Sequence, residues 1–331
     1  MKKLRLALIG CGGIMGAHVN GLLTFDDVEI VAVADPVKER AEAMKTRTGA
    51  AKAYPSHVEL FANEDKLDAV HICVEPTAHN NIEETCIARG LPFLVEKPMT
   101  MDLNQAKSIA EATKNLVTSV GFQDRYLDLT DRIKEELTDM KVGLVYGSWI
   151  GGVPQVWWWM RKDTCGGQLY EQNIHLLDML RYFFGEAEKV YATCGRTLID
   201  PDEFPNHLPV YDTDDFSTAT ITFKSGVVAN LMSGCYVTKK GNAIRNGLSI
   251  IGRDKSLEYR LRNDLTVYDA VGESKIYRQI DQMARLDRAF LDAVKAGDPT
   301  MMRSPYADAY KTLVLGAAAN ESMATGQVVK L

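Results

Sequence analysis

Over residues 1 to about 122, short apolar runs alternate with helix-length amphipathic stretches, the pattern that builds a parallel sheet covered on both faces. It predicts strands at Leu4–Ile9, Val28–Ala34, Ala69–Val74, Pro92–Val95 and Val117–Val120, with helices at Val37–Thr46, Asn80–Arg89 and Leu103–Thr113 between them. Beyond Gly121 the rhythm changes. A helix over Leu127–Leu137 precedes longer runs in which apolar and polar positions alternate: Leu144–Ile150, Phe216–Phe223 and Val227–Cys235. Lys224-Ser225-Gly226 joins the last two as a hairpin turn, and closing helices fall at Met283–Lys295 and Tyr306–Ala324. The expectation is an α/β chain in two domains. Residues 1–122 form a doubly wound parallel sheet, and residues 123–331 an α+β domain with an open, mainly antiparallel sheet.

Composition narrows the functional classes. With 331 residues, 46% of them apolar, the chain has material for two packed cores and no signature of disorder. A formal charge of −6 without any lysine or arginine block argues against nucleic acid or an anionic membrane as partner, and a small polar substrate fits better. Six scattered cysteines lack CxxC or zinc-finger spacing and read as reduced, mostly buried residues of a cytoplasmic protein. Met1-Lys2-Lys3-Leu4-Arg5 followed by Leu8-Ile9-Gly10-Cys11 looks like a lipoprotein signal, but Leu6 to Ile9 is too short for its apolar region. No segment approaches the length of a membrane span.

The first strand runs into Gly10-Cys11-Gly12-Gly13-Ile14-Met15-Gly16, a strand-to-helix turn of the Rossmann kind. Gly10 permits the tight turn, Gly12 lets the backbone approach a pyrophosphate, and the amides from Gly13 and Ile14 onward face the phosphates. The third glycine of the pattern is due at Met15, which weakens helix-to-strand packing in the usual account. Asp35 ends the second strand, where its carboxylate can take the adenosine ribose hydroxyls and repel a 2′-phosphate, so NAD is preferred over NADP. Arg40 is near enough in sequence to bear on that choice, and Asp35 can equally cap the following helix. Val74, Pro76 and His79 follow the strand at Ala69–Val74 on the nicotinamide side, Glu96 and Lys97 end the next strand, and Gln123 follows the last. All six join the cofactor set. His18 and His71 read as packed histidines without metal-ligand company, and no metal site is expected.

Lys97 within Glu96-Lys97-Pro98 is the first candidate for chemistry. A lysine at a strand's carboxyl end can donate to a substrate hydroxyl or developing alkoxide. The second cluster is Gly166-Gly167 followed by Glu171, His175 and Asp178. On one helix these three form a single polar stripe, in which a carboxylate can orient an imidazole suited to proton transfer near neutral pH. Such a stripe also occurs as a plain solvated helix face. Trp157-Trp158-Trp159 cannot share one face of an element, so at least one ring is exposed or lines a cleft. Trp158 and Arg161 are the candidates there for a sugar's C–H face and hydroxyls. Arg125 and Gln123 are placed at a cleft entrance or, equally, serve as linker polarity. Asp212-Thr213-Asp214-Asp215 reads as a solvated lead-in to a strand.

The glycine turn with His18, the Glu-Lys-Pro motif and the GGxxxExxxHxxD stretch resemble the glucose-fructose oxidoreductase, inositol dehydrogenase and rhizopine catabolism (Gfo/Idh/MocA) family, over nearly the whole chain including Leu286 to Ser322. The resemblance implies an NAD(P)-dependent dehydrogenase of sugars or cyclic polyols with Lys97 and His175 as catalytic residues. It also implies an open second-domain sheet that forms a homodimer or homotetramer contact. The family's aspartate four residues before the histidine is Glu171 here, and its glycine two before is Asn173. The implied chemistry is hydride transfer from a secondary carbinol to the nicotinamide, with His175 taking the proton, Lys97 polarising the oxygen and Glu171 orienting the imidazole. Lys97, Arg125, Trp158, Arg161, Glu171 and His175 form the substrate set. Two other readings stay open. One is redox-neutral glycoside cleavage on bound NAD, and the other is a non-catalytic NAD-binding regulator.

Overall fold

A computed structural model describes residues 3–154, 156–200, 211–237 and 245–331. The chain divides into two compact units, Met1–Tyr126 with Asp281–Tyr310, and Leu127–Ile280 with Lys311–Leu331. Where the change of pattern near residue 122 predicts a single cut, the chain returns to its first unit after the second. That return is a packing effect invisible in local periodicity, since it depends on a helix near residue 285 meeting one near residue 18.

The first unit is a six-stranded parallel sheet of order β3-β2-β1-β4-β5-β6, built from β1 (Leu4–Ile9), β2 (Val28–Ala34), β3 (Lys52–Tyr54), β4 (Ala69–Ile72), β5 (Phe93–Val95) and β6 (Thr118–Val120). Its helices are α1 (Gly13–Leu22), α2 (Lys38–Thr48), α3 (His57–Asn63), α4 (Ile82–Ala88) and α5 (Leu103–Ala112). The strands are nearly continuous apolar runs because both faces are covered. Every residue of β4, β5 and β6 is buried. β3 and α3 carry too little periodicity to be predicted, and β3 has only three residues. Capping is legible: Ser56 accepts from the Glu59 amide at the start of α3, and Asp102 from the Asn104 and Gln105 amides at α5.

In the second unit α6 (Asp128–Leu137) precedes a nine-stranded mixed sheet. Its strands are β7 (Val142–Ile150), then β8 (Ala187–Gly195), β9 (Phe216–Phe223), β10 (Val228–Gly234), β11 (Gly247–Gly252), β12 (Ser256–Arg260), β13 (Asp264–Tyr268) and β14 (Glu273–Tyr277), with the closing β15 (Val329–Lys330). Between β7 and β8 lie α7 (Lys162–Cys165), α8 (Gln168–Glu171) and α9 (Ile174–Phe184); after β14 come α10 (Gln282–Ala296), which belongs to the first unit, and α11 (Tyr306–Thr325), which enters the second at Lys311. The order is β14-β13-β12-β11-β7-β10-β9-β8-β15, in which only β7 and β10 pair in parallel. The predicted hairpin forms, with Gly226 at φ +90° and the Phe223 amide bonded to the Val227 carbonyl. One sheet face packs Val190, Ile221, Leu231, Ile250 and Leu257 against Leu176, Leu180 and Phe184 of α9. The other leaves Leu144, Tyr146, Met232 and Tyr268 between 40% and 57% exposed.

Candidate active site

Register sets the candidate residues of the first unit. Ile9 pairs with Ala34 and with Ile72, Ile72 with Val95, and Val95 with Val120, so five strands end in one row. The residues that follow, Gly10, Asp35, Cys73, Glu96 and Gly121, therefore line the carboxyl edge, where an open α/β sheet binds ligands beside its topological switch between β1 and β4. From β2 to β5 is three strand spacings, about 14 Å, a span that an extended dinucleotide can bridge.

The turn fits a dinucleotide. Gly10 has φ +84°, and a Cβ there would lie 2.2 Å from the Cys73 carbonyl oxygen. A Cβ on Gly12 or Gly13 would meet no atom within 4 Å, so the space over the turn is open. α1 starts at Gly13 with no side-chain cap, which leaves its first amides directed at that space. Ile14 is 40% exposed beside it. Met15 follows on the first turn of α1. Its side chain is fully buried in the core with Leu6, Leu8 and Leu286, which is why a long apolar residue stands where the glycine pattern expects none. Asp35 is buried and accepts from the Cys11 amide (2.8 Å) and from the Val37 amide two residues on (2.8 Å), while the cap position of α2 itself is Val37, without a side-chain cap bond. Each oxygen keeps further acceptor capacity for a ribose hydroxyl. Arg40 is exposed on the first turn of α2.

Further along the edge Val74 is half-buried and Pro76 buried, while His79 is buried with Nδ1 2.5 Å from Glu83 Oε1. Lys97 is half-buried at the end of β5, its amide donating to the Glu96 carboxylate (3.1 Å). Gln123 and Arg125 lie buried in a short 3₁₀ turn, Gln123–Tyr126. The Arg125 guanidinium reaches the Arg303 carbonyl and the Asp308 carboxylate (2.7 Å), so it ties the returning segment to the first unit rather than serving as linker polarity.

Sequence reasoning missed a buried polar cluster behind this edge. His18 Nδ1 lies 2.7 Å from Asp287 Oδ1 and its Nε2 3.2 Å from Glu96 Oε1, while His71 Nε2 lies 3.1 Å from the same Asp287 oxygen. His18 and His71 thus have company of metal-ligating type, since His18, His71 and Asp287 bring ligand atoms within 4.8 Å of one another. Burial alone would lower His18, but the Asp287 charge and hydrogen bond raise it well above its ordinary value. Burial lowers His71, so it stays neutral. Burial opposes ionisation of Asp287, yet His18 outweighs it and holds the carboxyl below its usual range. These separations are hydrogen-bond lengths and need no ion. Asp287 lies 216 residues or more from its partners, so no local signal could have found it.

The remaining candidate residues lie in the second unit. Gly166 and Gly167 have φ +76° and +91°, as the diglycine turn predicts. The single helical stripe does not form. α8 ends at Glu171 and α9 begins at Ile174, with Asn173 between them as its cap. Nor is it a solvated face, since Glu171, His175 and Asp178 are each at most 4% exposed. Asn173 is fully buried and donates its side-chain amide to the Met232 carbonyl (2.9 Å), a bond glycine could not make. Asp178 accepts from Thr312 Oγ1, which in turn accepts from Arg181, a structural use of that carboxylate.

His175 stacks on Trp149 of β7 at 5.8 Å between centroids, and Arg262 lies 5.2 Å from the Trp149 ring centre. Neither aromatic nor cation stood out in the sequence, because Trp149 belongs to an ordinary alternating strand. Trp157 is 50% exposed, as three successive rings require, while Trp158 stacks on Trp159 at 6.0 Å. Arg161 makes a bidentate pair with Asp163. The acidic run is not solvated. Thr213, Asp214 and Asp215 are at most 8% exposed, Asp212 accepts from the Lys162 amide, Asp214 pairs with the Lys162 ammonium (2.9 Å), and Asp215 accepts from the Leu198 amide.

Comparison with known proteins agrees with this geometry. Residues 4–122 match the model of an oxidoreductase family with an NAD-binding Rossmann fold, and residues 141–258 match the GFO/IDH/MocA C-terminal domain. The chain is 26% identical to myo-inositol 2-dehydrogenase of Thermotoga maritima, over 99% of this chain and 98% of that one. It is also 26% identical to scyllo-inositol 2-dehydrogenase (NAD(+)) of Bacillus subtilis, over 99% and 96%. In fold it resembles levoglucosan dehydrogenase solved with NADH and levoglucosan, with a TM-score of 0.86 at 20% identity over 99% of each chain. The row of strand ends around an open glycine turn, followed by the matched second domain, shows that this chain belongs to the Gfo/Idh/MocA family of NAD-binding oxidoreductases.

Proposed function

We propose that this dehydrogenase uses NAD in preference to NADP to oxidise a secondary hydroxyl of a sugar, sugar derivative or cyclic polyol. The observation that carries the reading is Lys97 at the same strand-end row as Asp35 and the open glycine turn. Asp35 supports NAD: a buried carboxylate at the end of β2 accepts ribose hydroxyls and repels a 2′-phosphate. Bound NAD supplies a hydride acceptor at its nicotinamide. Amides at the start of α1 hold the pyrophosphate. Lys97 donates to the substrate oxygen and stabilises charge developing there, while His175 takes the hydroxyl proton at its imidazole. Glu171, buried one turn earlier, orients that ring. Trp149 holds the imidazole face in place by stacking. The exposed apolar residues Leu144, Tyr146, Met232 and Tyr268 suit a homo-oligomer contact on the open sheet.

The deciding experiment follows NADH absorbance with a panel of inositols, aldoses and sugar acids, with NAD and NADP side by side. NADH should accumulate with at least one cyclic polyol or sugar and faster with NAD. Substrate consumption without net NADH would replace this reading by redox-neutral cleavage, and NAD binding with no turnover would replace it by a regulatory role.

A further inference from the structure

Behind the Lys97 strand end five ionisable side chains, His18, His71, Cys73, Glu96 and Asp287, meet with no more than 7% exposure each. His18 of α1 has carboxylate oxygens facing both ring nitrogens, Asp287 of α10 at 2.7 Å and Glu96 of β5's end at 3.2 Å. An ionised carboxylate only accepts, so an imidazole bonded to two of them at once is the doubly protonated cation. His71 of β4 and the Cys73 thiol complete the groups facing it. The second oxygen of Glu96 accepts from the Lys97 amide at 3.1 Å. Its carboxylate lies flat over Gly121, where a Cβ would fall 2.3 Å from Oε1 and 2.7 Å from Oε2. Both oxygens of Glu96 are therefore fixed, one by a buried cation and the other by the backbone of the lysine itself.

A buried charge cluster of this kind is poor at adding stability, because desolvation offsets most of the attraction and apolar side chains of equal volume do as well or better. What it does supply is direction. We propose that His18, clamped by Asp287, is a positioning residue: through Glu96 it fixes the backbone from which Lys97 reaches its substrate. Asp287 links this to the chain's return, since the residue that holds His18 comes from α10 and not from the nucleotide-binding sequence itself. The inference rests on Lys97 acting on substrate as described above.

The test compares His18→Leu, His18→Gln and Gly121→Ala in the full chain with NAD. The amide nitrogen of Gln stands close to the place of the His18 Nε2 and can keep a donor to Glu96 without a charge, whereas Leu keeps none, and Ala at 121 displaces Glu96 while leaving every charge in place. His18→Leu and Gly121→Ala should lower kcat at least tenfold with KM and the Kd for NAD within threefold of wild type, and His18→Gln should recover kcat to within threefold. By amide-resolved hydrogen exchange, the Lys97 amide should exchange at least tenfold faster in the first two variants while β1 and β4 amides stay unchanged. Unchanged kcat in His18→Leu and Gly121→Ala, a His18→Gln variant as poor as His18→Leu, or unaltered Lys97 exchange would overturn the proposal. If the wild-type protein turns over no sugar or polyol, it is the functional reading that falls, and the exchange result alone decides whether His18 positions Lys97.

Discussion

At the scale of single residues the chemistry rests on few groups, and their removal should be selective. Lys97→Ala and His175→Ala are expected to reduce kcat by about 10²–10⁴, the range for losing a positioned acid–base group, while NAD binding by fluorescence titration persists. Wild-type-like turnover in both would sink the assignment. Asp35 carries a double load, because it also receives the Cys11 and Val37 amides. Asp35→Asn keeps one acceptor and removes the charge. It should cost about 1.5–3 kcal/mol of NAD affinity, roughly 10–100-fold, and narrow the ratio of kcat/KM for NAD over NADP. An unchanged ratio would show that the discrimination lies elsewhere. Lys97 and Asp35 stood out as candidates by their place after an apolar run, and His175 by its spacing from Glu171 after the diglycine turn. Trp149, Arg262 and Asp287 did not, since a tryptophan in a strand or an aspartate on an amphipathic helix has no local mark of what it will touch.

At the scale of elements the departures from pattern are explained by packing. Met15 stands in place of the usual glycine of α1 and packs, fully buried, with Leu6 and Leu8 of the sheet and Leu286 of α10. Met15→Gly, which makes the motif more regular, should therefore destabilise the protein. Loss of the buried side chain costs about 2–5 kcal/mol and glycine in a helix about 1 kcal/mol more, read as a lowered midpoint of thermal or denaturant unfolding. A neutral or stabilising result would refute the packing account. The α8–α9 break shows the converse limit of periodicity. Glu171, His175 and Asp178 have helical spacing, yet the helix stops after Glu171 and restarts at Ile174, with the Asn173 side chain donating to the Met232 carbonyl on β10 at the break. Spacing could place the three on a helix, but could not foresee the break or their burial.

For the whole molecule, the return of the chain to its first unit is secured electrostatically as well as by packing. Asp27, just before β2, pairs with Lys295 and with Arg288 (2.9 Å) on α10. The Lys295 hydrogen bond, with Arg288 adding to it against a smaller effect of burial, pushes the Asp27 carboxyl down to about 2 from its ordinary 3.8. A lowered folded-state value gives stability that is complete above the unfolded value and vanishes as pH falls through the folded one. Asp27→Asn should accordingly be less stable than wild type at pH 5–7, with the two converging as acid is added between about pH 4 and pH 2. A constant difference across that window would assign the effect to something other than this carboxylate. The homo-oligomer contact proposed for the open sheet of the second unit predicts that Met232→Asp with Tyr146→Asp shifts sedimentation toward the monomer; unchanged sedimentation, or a wild-type protein that is already monomeric, would refute it.

The sequence by itself determined five of the six parallel strands and the carboxyl ends of β1, β2, β5 and β6, because each β–α unit is encoded by a local alternation of apolar runs and amphipathic helices. It also determined the family motifs and the hairpin at Gly226, whose turn needs only neighbouring residues. Only the tertiary structure decided which residues far apart in the chain share a surrounding: that Asp287 stands beside His18, that Trp149 covers His175, that the acidic run is buried, and that Asp281–Tyr310 belongs with the first unit. The physical reason is the same in each case. Hydrogen bonding along strands and helices is set by adjacent residues, whereas burial and charge pairing depend on contacts between segments separated by up to 269 positions, and those exist only once both cores have packed.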